Sequence, residues 1–176
     1  SLDAVENPLD EQRDFVDYFR GNMHERFDVT QIKASCSSIY SSHDHIEKSY
    51  KEALNVLDMK SKFPEETKEI INYQELGIYQ FLDVILEKRV QDQFENHSLK
   101  KLTDYDLRHN SNLVETLEVF LNNDNNINEA AKELNVHMNT LSYRLKRISE
   151  IGDINLKDVN QKMTLYIDIK LTKYKR

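Results

Sequence analysis

Polar and basic side chains are concentrated between His137 and Arg147, in the stretch HMNTLSYRLKR. Asparagine can pair with adenine through two hydrogen bonds, and lysine and arginine neutralise phosphates. These residue types therefore indicate recognition of a double-stranded nucleic acid rather than the making or breaking of a bond. The candidate contact residues are Asn128, His137, Met138, Asn139, Thr140, Ser142, Tyr143, Arg144, Lys146 and Arg147.

The helix that must carry most of these side chains is predicted from Met138 to Ile151. Leu141, Leu145 and Ile148 are spaced as i, i+4 and i+7, which gives an amphipathic helix one buried stripe. At roughly 100° per residue, the polar side chains point away from that stripe. The outward residues are Asn139, Ser142, Tyr143 and Lys146, with Thr140 and Arg147 at the flanks and Arg144 nearer the buried edge.

A second, shorter helix is predicted just before this one. Asn128 is expected to cap it, because an asparagine side chain can accept a hydrogen bond from a free amide of the first turn. Ala130 and Ala131 are small enough to let another helix approach closely. Asn135 tolerates the left-handed conformation that ends a helix, and Val136 is expected to fill the angle between the helices. Two helices joined this tightly form a helix-turn-helix, whose second helix docks in the major groove of DNA.

Base recognition and phosphate contact are expected to divide along the second helix. The side chains predicted to reach base edges or adjacent phosphates are Asn139, Thr140 and Tyr143. Those predicted to contact phosphates are Arg144, Lys146 and Arg147. The angle of Arg144 also allows a bond to a glutamate of the neighbouring helix instead. The alternative is that this is only the solvated basic face of an ordinary helix.

The stretch VHMNTLSYRLKRISEI resembles the C-terminal helix-turn-helix of PucR/CdaR-type bacterial transcription regulators, whose pattern is close to V-H-x-N-T-x-x-Y-R-L. The matching residues are His137, Asn139, Thr140, Tyr143, Arg144 and Leu145. Met138 departs from the family, in which this position is often basic, and this argues against a guanine contact there. The resemblance implies a regulator that binds double-stranded DNA.

The first half of the chain is predicted to alternate helices and strands. Val29 to Tyr40 is rich in β-branched and small residues, and Glu69 to Tyr73 is a short apolar run, so both are predicted as strands. Helices are predicted from His43 to about Met59, with Ser42 as the cap, and from Glu75 to about Phe94. This order resembles the GGDEF-like middle domain of the same regulators, which is expected to begin with at least one further strand before Ser1.

The predicted fold class is therefore α+β, with a truncated α/β GGDEF-like domain followed by an all-α helix-turn-helix domain. The predicted limits are residues 1–94 for the first domain, 95–110 for a linker and 111–176 for the DNA-binding domain. Residues 1–7 are expected to be a frayed start. In the second domain, a helix capped by Ser111 is predicted from Asn112 to Leu121, and a last helix from about Asp158 to Tyr174.

Charge is distributed unevenly along the chain. The net charge is −7 over 176 residues, which by itself is unusual for a DNA-binding protein. Residues 107–176 contain 11 Lys and Arg against 9 Asp and Glu, a net of +2, whereas residues 1–106 contain 13 against 22, a net of −9. Basic charge is thus concentrated in the half that carries the helix-turn-helix, and the acidic half would be repelled by DNA.

Several other classes of function are disfavoured. The three glycines are isolated, so the chain has no glycine-rich phosphate loop, and no cofactor, metal site or catalytic residue is predicted. The single cysteine fits a reducing cytoplasm, and no apolar run is long enough to span a membrane. Two alternatives stay open. One is an interaction or oligomerisation module whose helix-turn-helix does not bind DNA, and the other is a degenerate nucleotide-binding or cyclase-like enzyme.

The expected partners are double-stranded DNA, a second copy of the chain and, as a further candidate, RNA polymerase. A single helix-turn-helix makes few contacts, and two copies about 34 Å apart could read successive major grooves. The surfaces expected to pair are the broad apolar face around Leu165 and Ile169 and the long helix from Glu75 to Phe94. The alternative for Leu165 and Ile169 is that they complete the core of their own domain.

Overall fold

The computed structural model describes residues 7–174, so most of the expected frayed start lies outside the described part of the chain. The chain forms two compact units that divide between Phe81 and Leu82. All regular elements within residues 7–174 are helices. They are α1 (Pro8–Phe27), α2 (Ile46–Lys62), α3 (Leu82–Gln91), α4 (His97–His109), α5 (Leu113–Asn122), α6 (Ile127–Glu133), α7 (Met138–Gly152) and α8 (Val159–Tyr174), with 3-10 segments at His43–His45 and Tyr73–Phe81.

The α+β prediction for the first unit is wrong, because the two predicted strands do not build a sheet. The segments 29–40 and 69–73 meet at one isolated parallel bridge between Cys36 and Asn72. The Cys36 amide donates to the Ile71 carbonyl at 2.8 Å, and the Tyr73 amide donates to the Cys36 carbonyl at 3.0 Å. A single pair of bonds is too little for a stable two-stranded ladder. The described chain therefore gives no support to a GGDEF-like α/β domain.

The long helix predicted from Glu75 to Phe94 is also wrong. Residues 73–81 form a 3-10 segment that is interrupted at Gly77, where φ is 55° and ψ is −123°. An α-helix needs φ near −63°, and the values at Gly77 are accessible essentially to glycine alone. The α-helix proper, α3, begins only at Leu82. Apolar spacing continues across Gly77, which is why the periodicity suggested a single helix.

The core of the first unit lies between α2 and the 3-10 segment at residues 73–81. Its fully buried side chains include Val56 and Met59 of α2, Phe63, which directly follows α2, and Leu76 of the 3-10 segment. The Phe63 ring packs 4.9 Å from the ring of Tyr79. Predicting α2 was largely right, although its first residues, His43–His45, are 3-10, and Ser42 caps them by accepting from the Asp44 amide at 3.3 Å.

The second unit is an all-helical bundle around α7, which packs against α4, α5 and α6. This confirms the predicted all-α character of the helix-turn-helix part. Its core residues come from α4 through α8 and from the turn after α7: Leu102, Leu113, Leu117, Phe120, Ala130, Ala131, Leu141, Leu145, Ile148, Ile154, Leu165 and Ile169. The helix that presents the candidate DNA contacts is therefore held on three sides.

The segment predicted as the linker, residues 95–110, contains α4. Asn96 caps this helix by accepting from the Leu99 amide at 3.1 Å, and Leu102 is completely buried. Asp106 performs the capping that was predicted for Ser111 at the start of α5. Its carboxylate accepts from the amides of residues 113 and 114, both at 2.9 Å, and from the Ser111 hydroxyl at 2.6 Å. The domain limits themselves remain a prediction, but α4 supplies both an apolar anchor and a helix cap to the second unit.

The apolar surface predicted on the last helix is not exposed. Leu165 and Ile169 are each only 3% exposed and belong to the core of their own unit, so the partner surface expected there is wrong. The exposed apolar side chains of α8 are instead Val159 and Met163.

A buried ion pair joins α5 to α8. The Lys170 side chain is fully buried, and its Nζ donates to Glu118 Oε1 at 3.0 Å. The Nζ of Lys173, which is half exposed, lies 2.7 Å from the same oxygen. Burying an ammonium group is costly unless a carboxylate compensates it. The pair therefore fixes which residues of α8 face α5.

Candidate nucleic-acid interface

The two helices of the helix-turn-helix, α6 and α7, each begin at a side-chain cap. Asn126, rather than the predicted Asn128, caps α6: its Oδ1 accepts from the amide of Asn128 at 2.9 Å and from that of Glu129 at 3.3 Å. Asn135 adopts the left-handed conformation with φ of 52°, as its residue type predicted. His137 then caps α7, because its Nδ1 accepts from the Asn139 amide at 3.2 Å. The imidazole of His137 is thus committed to the turn.

The buried face of α7 is the predicted one. Leu141 and Ile148 are completely buried, and Leu145 is 7% exposed. The helix ends at Gly152, one residue beyond the predicted end, and Asp153 adopts a left-handed conformation while its amide donates to the Ser149 carbonyl. A helix fixed by a buried stripe and by defined ends can hold its outer side chains in a constant geometry, which base recognition requires.

Six of the predicted contact residues of α7 form one exposed strip. Tyr143 is 63% exposed and Met138 is 46% exposed, and the Lys146 side chain is 76% exposed. The full strip consists of Met138, Asn139, Thr140, Ser142, Tyr143 and Lys146. Asn128, in the first turn of α6, is also exposed. The strip offers amide, hydroxyl and ammonium groups, which suit base edges and phosphates.

Arg144 is partly withdrawn from the strip. Its guanidinium Nη1 donates to the Thr116 hydroxyl of α5 at 3.3 Å, and the side chain is half-buried. The neighbouring helix does provide its partner, but that partner is a threonine and not the predicted alternative, a glutamate. Thr116 in turn donates to the Asn112 carbonyl at 2.6 Å. Arg144 therefore ties α7 to α5.

Arg147 lies at the flank of the strip and contacts two side chains. Its Nη2 donates to the Tyr105 hydroxyl at 3.0 Å, and its Nη1 donates to Glu150 Oε2 at 3.2 Å. The guanidinium carbon also lies 5.6 Å from the centre of the Tyr105 ring. The hydrogen bond with Tyr105, followed by that with Glu150, raises the pKa of Arg147 above its usual value.

Tyr105 and Glu150 are the residues that the sequence reasoning missed. Glu150 follows Lys146 and Arg147 by four and three residues, a spacing that places side chains next to one another on a helix. That spacing was a usable signal. Tyr105 lies on α4, 42 residues before its partner, and no local pattern connects the two.

Other kinds of site find no support in the described residues. Within residues 7–174, no three His, Cys, Asp or Glu side chains are grouped as metal ligands. Of the described helices, none combines the length and apolar character that crossing a membrane requires.

Comparison with known proteins agrees with this geometry. Residues 113–171 match the model of the PucR C-terminal helix-turn-helix domain. The chain is 49% identical over 95% of its length to the DNA-binding transcriptional activator AdeR of Bacillus subtilis, and it spans 40% of that protein. It is 32% identical over 92% of its length to the proline-responsive transcriptional activator PutR of the same organism, and it spans 39% of that relative.

More distant similarity extends to a second bacterium. The carbohydrate diacid regulator of Escherichia coli is 27% identical over 80% of the chain, which spans 36% of that regulator. No solved structure shows significant similarity to the chain. The helices α5 to α8, of which α7 carries the exposed polar strip, thus constitute a helix-turn-helix domain of the PucR C-terminal type.

Proposed function

We propose that the chain is the C-terminal part of a PucR/CdaR-type bacterial transcription regulator and that α7 binds the major groove of double-stranded DNA. The observation that carries the proposal is the exposed polar strip on a helix whose opposite face is buried. The matched domain and the relatives named as transcriptional activators support the same conclusion. The function is recognition, and no catalytic step is part of the proposal.

The proposed contacts follow from position along α7. Near the N-terminus of a recognition helix, side chains reach base edges, whereas later positions approach the backbone. The residues proposed to read bases are Asn139, Thr140 and Tyr143, with Met138 and Ser142 beside them. The residues proposed to contact phosphates are Lys146 and Arg147, together with Asn128 from α6. His137 and Arg144 act mainly by holding the turn and α7 in place, because their side chains bond within the protein.

The proposal is tested by selecting a preferred duplex from a random pool and measuring binding to it by fluorescence anisotropy. Asn139→Ala should weaken binding to the selected duplex by about 1–3 kcal/mol and relax the preference at one base pair. Asn160→Ala, which changes an exposed asparagine of α8, is the matched control and should leave affinity and preference unchanged. Equal weakening on every sequence would disprove base reading by Asn139.

The principal alternative is an interaction module whose helix-turn-helix no longer binds DNA. The net charge of −7 favours it, because an acidic chain is repelled by phosphates. The concentration of exposed polar and basic groups on α7 favours DNA binding. Absence of binding to any duplex at low salt, where phosphate contacts are strongest, would establish the alternative.

We also propose that the regulator binds DNA as a homodimer and contacts RNA polymerase there. Support for the dimer is the small number of base contacts on one α7, since two copies joined together gain affinity from a high effective concentration. The name of AdeR as an activator motivates the contact with polymerase. Light scattering with the selected duplex, followed by pull-down of polymerase, tests both. A monomer on a single half-site with no palindromic preference would disprove the dimer.

A further inference from the structure

Glu150 lies on the face of α7 that is proposed to meet DNA. Glu150 follows Tyr143 by seven positions, so at 100° per residue the two side chains are only about 20° apart around the helix. The Glu150 side chain is 48% exposed, and its two carboxylate oxygens lie 3.2 Å from Arg147 Nη1 and 4.0 Å from Lys146 Nζ. An acid therefore stands beside both cations proposed to contact phosphates.

Tyr105 holds the other side of Arg147. This tyrosine of α4 is half-buried against the core of the second unit, and its ring lies 4.2 Å from the ring of His109. Its hydroxyl accepts a hydrogen bond from Arg147 Nη2 at 3.0 Å. Because α4 packs directly on α7, the hydroxyl is a fixed point from which the guanidinium is oriented.

The two contacts use different donors of one guanidinium. Arginine has five N–H donors arranged in a planar fork. Tyr105 takes one on Nη2 and Glu150 takes one on Nη1, so a phosphate can replace Glu150 while the bond to Tyr105 persists. A phosphate and a carboxylate bind the guanidinium in the same manner and compete for it.

We propose that Arg147 is a phosphate ligand, that Tyr105 is its positioning residue and that Glu150 competes with the phosphate for it. In the free protein, Glu150 occupies Arg147 and attracts Lys146. On DNA, the phosphate displaces the carboxylate, while Tyr105 keeps the guanidinium in register. Glu150 thereby lowers affinity for DNA of any sequence. The inference rests on the proposed DNA binding by α7.

The roles proposed for Tyr105 and Glu150 predict opposite effects in one experiment. The full chain is titrated with a random-sequence duplex of about 30 base pairs over a series of salt concentrations. Glu150→Gln removes the competing carboxylate and should tighten binding at low salt. Because exposed ion pairs are individually weak, the gain in affinity should be modest, roughly three- to tenfold. Tyr105→Phe should weaken binding severalfold and reduce the slope of log affinity against log salt by up to about 0.9, the share of one phosphate contact.

Matched variants isolate the role of Arg147. Asp153→Asn removes the same charge just beyond α7 without touching a partner of Arg147, so it should tighten binding less than Glu150→Gln does. In an Arg147→Gln background, Tyr105→Phe should have no effect, and Glu150→Gln should retain only the share that comes through Lys146. If Tyr105→Phe proves unstable by circular dichroism, Arg147→Lys replaces it. Lysine lacks the fork needed for two partners, so the same loss is expected.

The outcomes separate this inference from the function on which it rests. If the wild-type chain does not bind the duplex at low salt, both the proposed function and the inference are overturned. If the wild type binds and Glu150→Gln has no more effect than Asp153→Asn, the competition is disproved while DNA binding stands. An undiminished effect of Tyr105→Phe in the Arg147→Gln background would disprove the positioning role.

Discussion

Asp106 provides a direct test of whether α4 is an integral part of the helix-turn-helix unit. One carboxylate accepts two backbone amides at the start of α5 and the hydroxyl of Ser111. The first amides of a helix have no partner within the helix, so a cap from another segment stabilises the helix and attaches that segment to it. Asp106→Ala removes all three bonds together.

The expected loss of stability can be worked out from these bonds. A side-chain cap contributes about 0.5–2 kcal/mol, a negative charge at a helix N-terminus about 0.3–1 kcal/mol, and the bond from Ser111 about 0.5–1.5 kcal/mol. Water replaces part of what is lost at this half-buried site. We therefore expect Asp106→Ala to lower the free energy of unfolding by about 2–3 kcal/mol, which moves the urea midpoint by about 1–2 M.

The assay is urea unfolding combined with amide hydrogen exchange in α5 and α7, because exchange reports the second unit separately from the first. Ser111→Ala removes only one of the three bonds and should cost about 0.5–1 kcal/mol. Asp106→Asn retains one acceptor oxygen and should fall between the two. A change below about 0.5 kcal/mol for Asp106→Ala would refute the reasoning, since that is the range of an ordinary surface substitution.

Two further predictions concern the packing of α4 and the acid sensitivity of the first unit. Leu102→Ala should destabilise the second unit by about 2–5 kcal/mol, because the side chain is completely buried. Leu107→Ala, at an 80% exposed position of the same helix, should change stability by less than about 0.5 kcal/mol. Equal effects of the two substitutions in urea unfolding would contradict this packing. Burial by itself raises the pKa of Glu75, but two backbone amides and Arg13 more than offset it and lower the pKa below the usual 4.5. The stability that Glu75 contributes is therefore present above pH 4.5 and lost as the pH falls below it. In acid unfolding followed by circular dichroism, the stability of Glu75→Gln should fall less steeply below pH 4.5 than that of the wild type. The same decrease in both proteins would be inconsistent with the lowered pKa.

Local sequence patterns were sufficient for α7. Its length, its buried stripe and the left-handed Asn135 all follow from spacing and residue type within some 20 residues. Most of the candidate contact residues are exposed for the same reason, because the buried stripe determines which side of the helix faces outward. The cap of α6 was displaced by two residues, from Asn128 to Asn126, since either asparagine suits the position.

The remaining features depend on residues that are distant in sequence. Tyr105, one of the two partners of Arg147, lies 42 residues away from it, and the cap of α5 comes from the preceding helix. The strand prediction at residues 29–40 failed because β-branched composition shows only that a segment can be extended, and pairing needs a neighbouring ladder. Gly77 breaks a helix whose apolar spacing is uninterrupted, and that break is visible only in its dihedral angles.

The buried Lys170–Glu118 pair has a consequence for how α8 can evolve. A helix with apolar residues on several sides can slide along its neighbours at little cost in apolar burial. A slide of one turn, about 5.4 Å, would carry the Lys170 ammonium away from the carboxylate within the protein interior. We therefore expect the two charges to fix a single register, and replacing both by apolar residues to raise the melting temperature while permitting several arrangements. Substitutions at these positions should be tolerated only as coordinated changes, so Glu118 and Lys170 should vary together among descendants of this sequence.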